Sequence, residues 1–129
     1  MVFSGVVVEG KHLGRTLGFP TINIAGIDGP AAERGVYIGR AWLGGAKAPV
    51  GCMLNIGSHP TVPEGPPTVE AHLLGVHQDC YGLSVRVETL AFLRSERRFA
   101  SVEQLKAQLE EDRRSVGAYF AERPEALRG

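Results

Sequence analysis

The run Gly14-Arg15-Thr16-Leu17-Gly18-Phe19-Pro20-Thr21-Ile22-Asn23-Ile24 passes from a glycine-rich loop into a strand, and the rest of the chain is read outward from it. Glycine lets the backbone approach an anion closely and aim its N–H groups at phosphate oxygens, while Arg15 can fork onto the same charge. Pro20 fixes its own φ and pushes Phe19 toward an extended conformation, so Thr21, Ile22 and Asn23 enter a strand. Residues i and i+2 of a strand share a face. Thr21 and Asn23 therefore offer two neutral oxygen ligands on one side while Ile22 points to the core. Hard oxygens in small number suit Mg²⁺, which keeps waters and fills its shell with nucleotide phosphates. The same residues also suit a Gly/Pro surface turn ahead of an ordinary strand, and spacing alone leaves the two readings level.

Upstream, Val2 to Val8 is a β-branched apolar run that reads as a buried strand. Gly5 and Gly10-Lys11 have P-loop spacing, but His12 stands where Ser or Thr must hold the metal, and the intervening residues are strand rather than flexible backbone. Downstream, Ala25 to Arg34 lacks periodicity and reads as a loop. Gly35 to Leu43 reads as a strand, and Gly44-Gly45 as a hairpin turn into another over Pro49 to Ile56. Gly57 to Pro67 reads as a loop. Thr68 to Leu74 and Leu83 to Leu93 read as strands joined by a turn containing Gly75, Asp79 and Gly82.

The pattern changes after Arg98. Ser101 with Gln104 three positions on is a capping box, and Val102, Leu105, Leu109, Val116 and Tyr119 or Phe120 recur at helical spacing as far as Pro124. Short strands over about 2–98 followed by one amphipathic helix over about 101–122 imply a mainly β domain spanning 1–129, a small antiparallel barrel covered by that helix. Periodicity alone does not separate a barrel from a sandwich.

The length of 129 residues suffices for one core without staples, and 14 basic residues against 14 acidic give no net field for nucleic acid or a membrane. No apolar run is long enough to span a bilayer, and Met1-Val2-Phe3-Ser4 lacks a signal-peptide start, so a cytoplasmic location is expected. Cys52 and Cys80 fit reduced, semi-buried thiols. His12, His59, His72 and His77 form no ligand spacing with them, and His72 reads as a packed or hydrogen-bonded structural residue. In Val69-Glu70-Ala71-His72-Leu73-Leu74, alternation puts Glu70, His72 and Leu74 on one face and Val69, Ala71 and Leu73 on the other. A glutamate inside an otherwise apolar strand sits over water, a partner or a site, and by pattern alone the solvated strand carboxylate is the commoner case.

The opening run resembles the G-R-x-L-G-F-P-T-x-N signature of riboflavin kinases, which phosphorylate riboflavin to FMN. Residues 69–74 resemble that family's E-x-H-L/I stretch. Gly51-Cys52-Met53-Leu54-Asn55-Ile56-Gly57-Ser58-His59-Pro60-Thr61 resembles its G-x-x-N-I-G-x-x-P-T segment, and Leu93-Arg94-Ser95-Glu96-Arg97-Arg98-Phe99 its flavin-contacting L-R-P-E-x-x-F segment. The likeness covers residues 5 to about 115. It implies a closed, Greek-key-like antiparallel β-barrel with a C-terminal helix. It also implies ATP held by Gly10, Gly14, Arg15, Gly18 and Thr21, with Leu73 and Tyr81 on the adenine side. By the same resemblance Thr21 and Asn23 are the magnesium ligands, Glu70 is the base for the ribityl 5′-hydroxyl, and Arg94, Arg97 and Phe99 meet the flavin. Two positions depart from the family pattern: Ile22 replaces a small Ala, and Ser95 replaces the Pro after Arg94, which loosens the backbone there.

The expectation is a riboflavin kinase using Mg·ATP, with small-molecule partners only, compatible with a longer parent chain that carries an N-terminal FAD synthetase domain. The alternative is a regulatory domain of the same fold that binds flavin or nucleotide without turnover. A binding module needs neither the base nor the metal ligands.

Overall fold

Phe3, Val7, Ile24, Ala41, Leu54, Ile56, Val69, Ala71, Val85 and Val87 come from six different strands and meet in one buried cluster. Alternation supplies this geometry: each strand sends every second residue inward, and a sheet that buries only one face can close on itself. The structure, a computed structural model, describes residues 1–8, 21–28, 33–57, 68–76 and 80–128. Its strands are β1 (Val2–Val8), β2 (Ile22–Asp28), β3 (Gly35–Leu43), β4 (Val50–Gly57), β5 (Thr68–Leu73) and β6 (Ser84–Arg94). They form a closed barrel in the order β1-β2-β5-β4-β3-β6, with every pairing antiparallel. Consecutive β3, β4 and β5 lie side by side, and β6 returns to pair with β3. The spatial order β6-β3-β4-β5 is that of a Greek key.

Two expectations are corrected in the first two strands. The run Val2–Val8 is half-buried: Phe3 and Val7 face the core at 3% and 2% exposure, whereas Val2, Val6 and Val8 face outward on the barrel wall. An unbroken apolar run does not bury both faces when only one side of the sheet is covered. The expected loop from Ala25 begins instead as strand, because β1 recruits it: Val6 pairs with Ala25 and Ser4 with Asp28, across a bulge. Gly5 sits at that bulge, where an added Cβ would lie 2.5 Å from the Ala25 carbonyl oxygen.

Helix α1 spans Val102–Glu122, followed by a 3-10 turn at Pro124–Leu127. The Ser101 hydroxyl accepts from the Gln104 N–H at 3.2 Å. Gln104 Oε1 reaches back to the N–H of Ala100, one residue before the cap, at 3.1 Å. The helix covers the outer face of β3, β4 and β6, where Val116 and Phe120 join Val36, Ile38 and Met53 in a second buried cluster. Burying two such side chains stabilises the docked helix by about 1.5–3 kcal/mol each. Gly51 on β4 allows the close approach: a Cβ there would stand 2.7 Å from the Phe120 ring. Val102, expected on the apolar stripe, is instead exposed at the first turn, and Asp112 is buried in its interior.

Candidate active site

The outer face of β2, β5 and β4 carries the polar residues singled out in the sequence. Ile24, Val69, Ala71, Leu54 and Ile56 are buried in the barrel, so their neighbours Asn23, Glu70 and Asn55 face the other way. The register lines these three up: Asn23 pairs with Glu70 across β2–β5, and Glu70 with Asn55 across β5–β4. Their closeness follows from the ladder. The Leu74 N–H donates to the Gly51 carbonyl at 2.9 Å. N–H and C=O of one strand residue point the same way, so alternate pairs of β4–β5, Glu70–Asn55 among them, are hydrogen-bonded pairs. Asn23–Glu70 is then a non-hydrogen-bonded pair, with Cα atoms about 4.5 Å apart and side chains at their closest. Thr21 precedes β2 by one residue and is half-buried, as is Asn23.

Strand direction sorts the other candidates into two ends. The end of β1, the starts of β2 and β6, and the end of β5 share one end of the barrel. Tyr81 lies there, exposed, in the turn where the Gly82 N–H donates to the Val7 carbonyl. Leu73, the last residue of β5, turns its side chain into the barrel core at 6% exposure. Gly10, Gly14, Arg15 and Gly18 lie outside the described residues. Arg94 closes β6 at the opposite end, beside Val36, and Arg97 and Phe99 follow it. Asn23, the second residue of β2 and the partner of Val8, stands on the outer wall at the first of these ends, and Glu70 lies beside it in the middle of β5.

At the Arg94 end, the guanidinium is clamped by the helix. Arg94 Nε donates to both Asp112 oxygens at 3.1 Å, and its Nη2 to Oδ2 at 2.8 Å. The Asp112 side chain is only 3% exposed. Gln108 Nε2 donates to Asp112 Oδ1 at 2.9 Å, and Gln108 Oε1 accepts from Arg97 Nη1 at 2.7 Å. The Arg97 guanidinium lies over the Phe99 ring, 5.7 Å from its centroid. Phe92, half exposed, packs edge-on against Tyr37 at 5.3 Å. Burial first, and the Glu33 carboxylate second, raise the Tyr37 pKa; its hydroxyl donates to the Glu33 carbonyl at 2.6 Å.

Reasoning from sequence missed Asp112, Gln108 and the role of Asn55. A signal for Asp112 was available: it falls between Leu109 and Val116 on the helix stripe, where an acid is buried only with a partner. His72 is buried and has an interaction partner, as a structural histidine should. Cys52 and Cys80 are free and buried. Among the described residues no group of three or more His, Cys, Asp or Glu could hold a metal ion, and no helix is long and apolar enough to cross a membrane.

The family model described as flavokinase, riboflavin kinase, matches residues 1–120. The bifunctional riboflavin kinase/FMN adenylyltransferase of Escherichia coli K12 is 40% identical over 117 residues, covering 91% of this chain and 37% of that protein. The RNA-binding riboflavin kinase RibR of Bacillus subtilis is 40% identical over 126 residues, covering 92% of this chain and 51% of that one. Among solved structures, riboflavin kinase from Trypanosoma brucei superposes with a TM-score of 0.65 at 23% identity, covering 93% and 76% of the two chains. That likeness is one of fold. The chain spans little more than a third of the length of its bifunctional relatives.

Proposed function

The chain belongs to the riboflavin kinase family, and from that premise we propose that it transfers the γ-phosphate of ATP to the ribityl 5′-hydroxyl of riboflavin, giving FMN and ADP. The observation that carries the reading is the pairing of Asn23 with Glu70 on the outer wall, a neutral oxygen ligand beside a carboxylate. Phosphoryl transfer needs little else from the protein than phosphates held in line and a base for the hydroxyl.

In this reading Glu70 accepts the proton of the 5′-hydroxyl as its oxygen attacks the γ-phosphorus. The bond to the β–γ bridging oxygen breaks, and ADP leaves with that electron pair. The donor set fits magnesium: the Thr21 hydroxyl and Asn23 carboxamide are hard oxygens on one strand face. When bound, Mg²⁺ would neutralise charge on the transferring phosphate. Gly10, Gly14, Arg15 and Gly18 hold the ATP phosphates, with Tyr81 toward the adenine, while Leu73, expected beside it, packs inside the barrel. Riboflavin is held from the Arg94, Arg97 and Phe99 end, so its ribityl chain reaches Glu70 along the wall. ATP and flavin thus approach the base from opposite ends of the barrel.

The reading places the protein in the cytoplasm, in keeping with free cysteines. Any adenylylation of FMN belongs to the part of the bifunctional relatives that this chain does not span. Incubation with riboflavin, ATP and Mg²⁺ followed by chromatography tests the proposal. FMN should accumulate over many turnovers; stoichiometric flavin binding without FMN would replace the kinase with a binding module of the same fold.

A further inference from the structure

The segment 95–99 leaves β6 without secondary structure of its own, and Ser95 stands where the family pattern has a φ-fixing proline. Arg94 Nη1 donates to the Ser95 carbonyl at 3.2 Å, and the helix reaches the segment through the side chains of Arg94 and Arg97.

Gln108 and Asp112 are four residues apart on α1 and so share one face. Asp112 takes three contacts from the Arg94 guanidinium and a fourth from Gln108 Nε2. The carboxamide of Gln108 has only one workable orientation. Its NH₂ faces the Asp112 carboxylate and its oxygen faces the Arg97 guanidinium; reversed, both ends would meet like partners. Gln108 is therefore a polar relay, donating to a buried anion and accepting from an exposed cation. The chain ends on an aromatic face, because Arg97 lies over Phe99.

We propose that Gln108 and Asp112 are positioning residues of the flavin site: the helix-borne pair sets the geometry of Arg94 and Arg97 and so restrains the segment that Ser95 leaves loose. The proposal rests on the reading of Arg94, Arg97 and Phe99 as the flavin segment. It adds that flavin affinity is written partly in α1, on residues with no assigned contact to either substrate. Pre-organising a binding segment raises affinity by lowering the ordering cost of binding.

Riboflavin fluorescence titration and steady-state kinetics on Gln108→Leu, Arg97→Ala, the double variant and Asp112→Asn test this. Gln108→Leu should weaken riboflavin binding about tenfold, the scale of a lost hydrogen bond to a charged group. It should leave kcat and the KM for ATP unchanged, with at most a small fall in the melting midpoint from the lost bond to Asp112. If Gln108 acts through Arg97, the double variant should bind riboflavin no more weakly than Arg97→Ala alone. Asp112→Asn should weaken riboflavin binding further than Gln108→Leu, with a lower midpoint, since it loosens Arg94 as well. Additive losses, an unchanged riboflavin affinity in Gln108→Leu, or a fall in midpoint as its sole effect would each overturn the proposal. A wild-type chain that binds no riboflavin overturns instead the reading of the flavin segment on which the proposal stands.

Discussion

Asn23 and Glu70 face each other across β2 and β5 as a close antiparallel pair, although 46 residues separate them in the chain and their strands are not consecutive. The barrel's closure makes this pairing: β2 finds its second neighbour in β5 because β3, β4 and β5 run as a meander whose last strand closes against it. A carboxamide and a carboxylate at this separation can share one small polar reactant. Asn55 flanks Glu70 from the other side, so the carboxylate sits between two neutral amides with no like charge paired against it.

Glu70→Gln tests the base directly. It keeps the shape of an outward-facing side chain whose neighbours Val69 and Ala71 remain in the core, so the fold should be retained. The rate constant should fall about 10²-fold or more, the usual contribution of a positioned base. ATP binding should change little. Wild-type turnover in the variant would reduce Glu70 to a solvated strand residue.

Thr21→Val and Asn23→Leu each delete one oxygen from the proposed magnesium set and leave the flavin end of the barrel untouched. Each should raise the Mg²⁺ concentration giving half-maximal activity more than it changes the KM for riboflavin. A magnesium titration reads this out, and an unmoved half-saturation point in both variants removes the site.

Much of the barrel is legible in the sequence because its inward positions are β-branched or aliphatic and alternate, as in Val69, Ala71 and Leu73. The extension of β2 through Ala25 to Asp28 is not, since what makes these residues a strand is their pairing to β1. Glu70 was visible as an anomaly in an apolar strand, but its partner was hidden: register between non-consecutive strands is set by closure of the whole sheet. Asp112 stands on the helix stripe between Leu109 and Val116, so its burial was legible; what was hidden was its partner, the Arg94 guanidinium across the interface, which offsets the cost of burying the acid.

Gly51→Ala should loosen the helix. Its Cβ would meet two Phe120 ring carbons at 2.7 and 2.9 Å and the Leu74 Cδ1 at 3.3 Å. Forcing these apart should cost about 1–3 kcal/mol of stability, the scale of overpacking in a filled core. Gly45→Ala is the control, because nothing lies within 4 Å of a Cβ there, and it should stay within about 0.5 kcal/mol of wild type. Urea denaturation of the two variants separates them; equal stabilities would mean that Phe120 does not press on β4.

Cys52 should give the protein an alkaline weakness of its own. The residue is fully buried in the barrel, and burial pushes its thiol up to about 12, against about 8.5 for an unperturbed cysteine. Below the unfolded value both states keep the proton, so the contribution of the thiol is fully present at neutral pH. Between about 8.5 and 12 the unfolded chain gives up the proton while the folded chain retains it. The unfolded state then binds fewer protons, and stability falls as pH rises, by at most about 1.4 kcal/mol per pH unit from this group. Other groups titrate in the same range, so the measurement is a difference: urea denaturation of wild type and Cys52→Ala from pH 7 to 10.5. The alanine variant starts less stable because it leaves a cavity, but that offset does not depend on pH. The two curves should therefore converge above pH 9, and curves that stay parallel would show that the thiol ionises no later in the folded barrel than in the open chain.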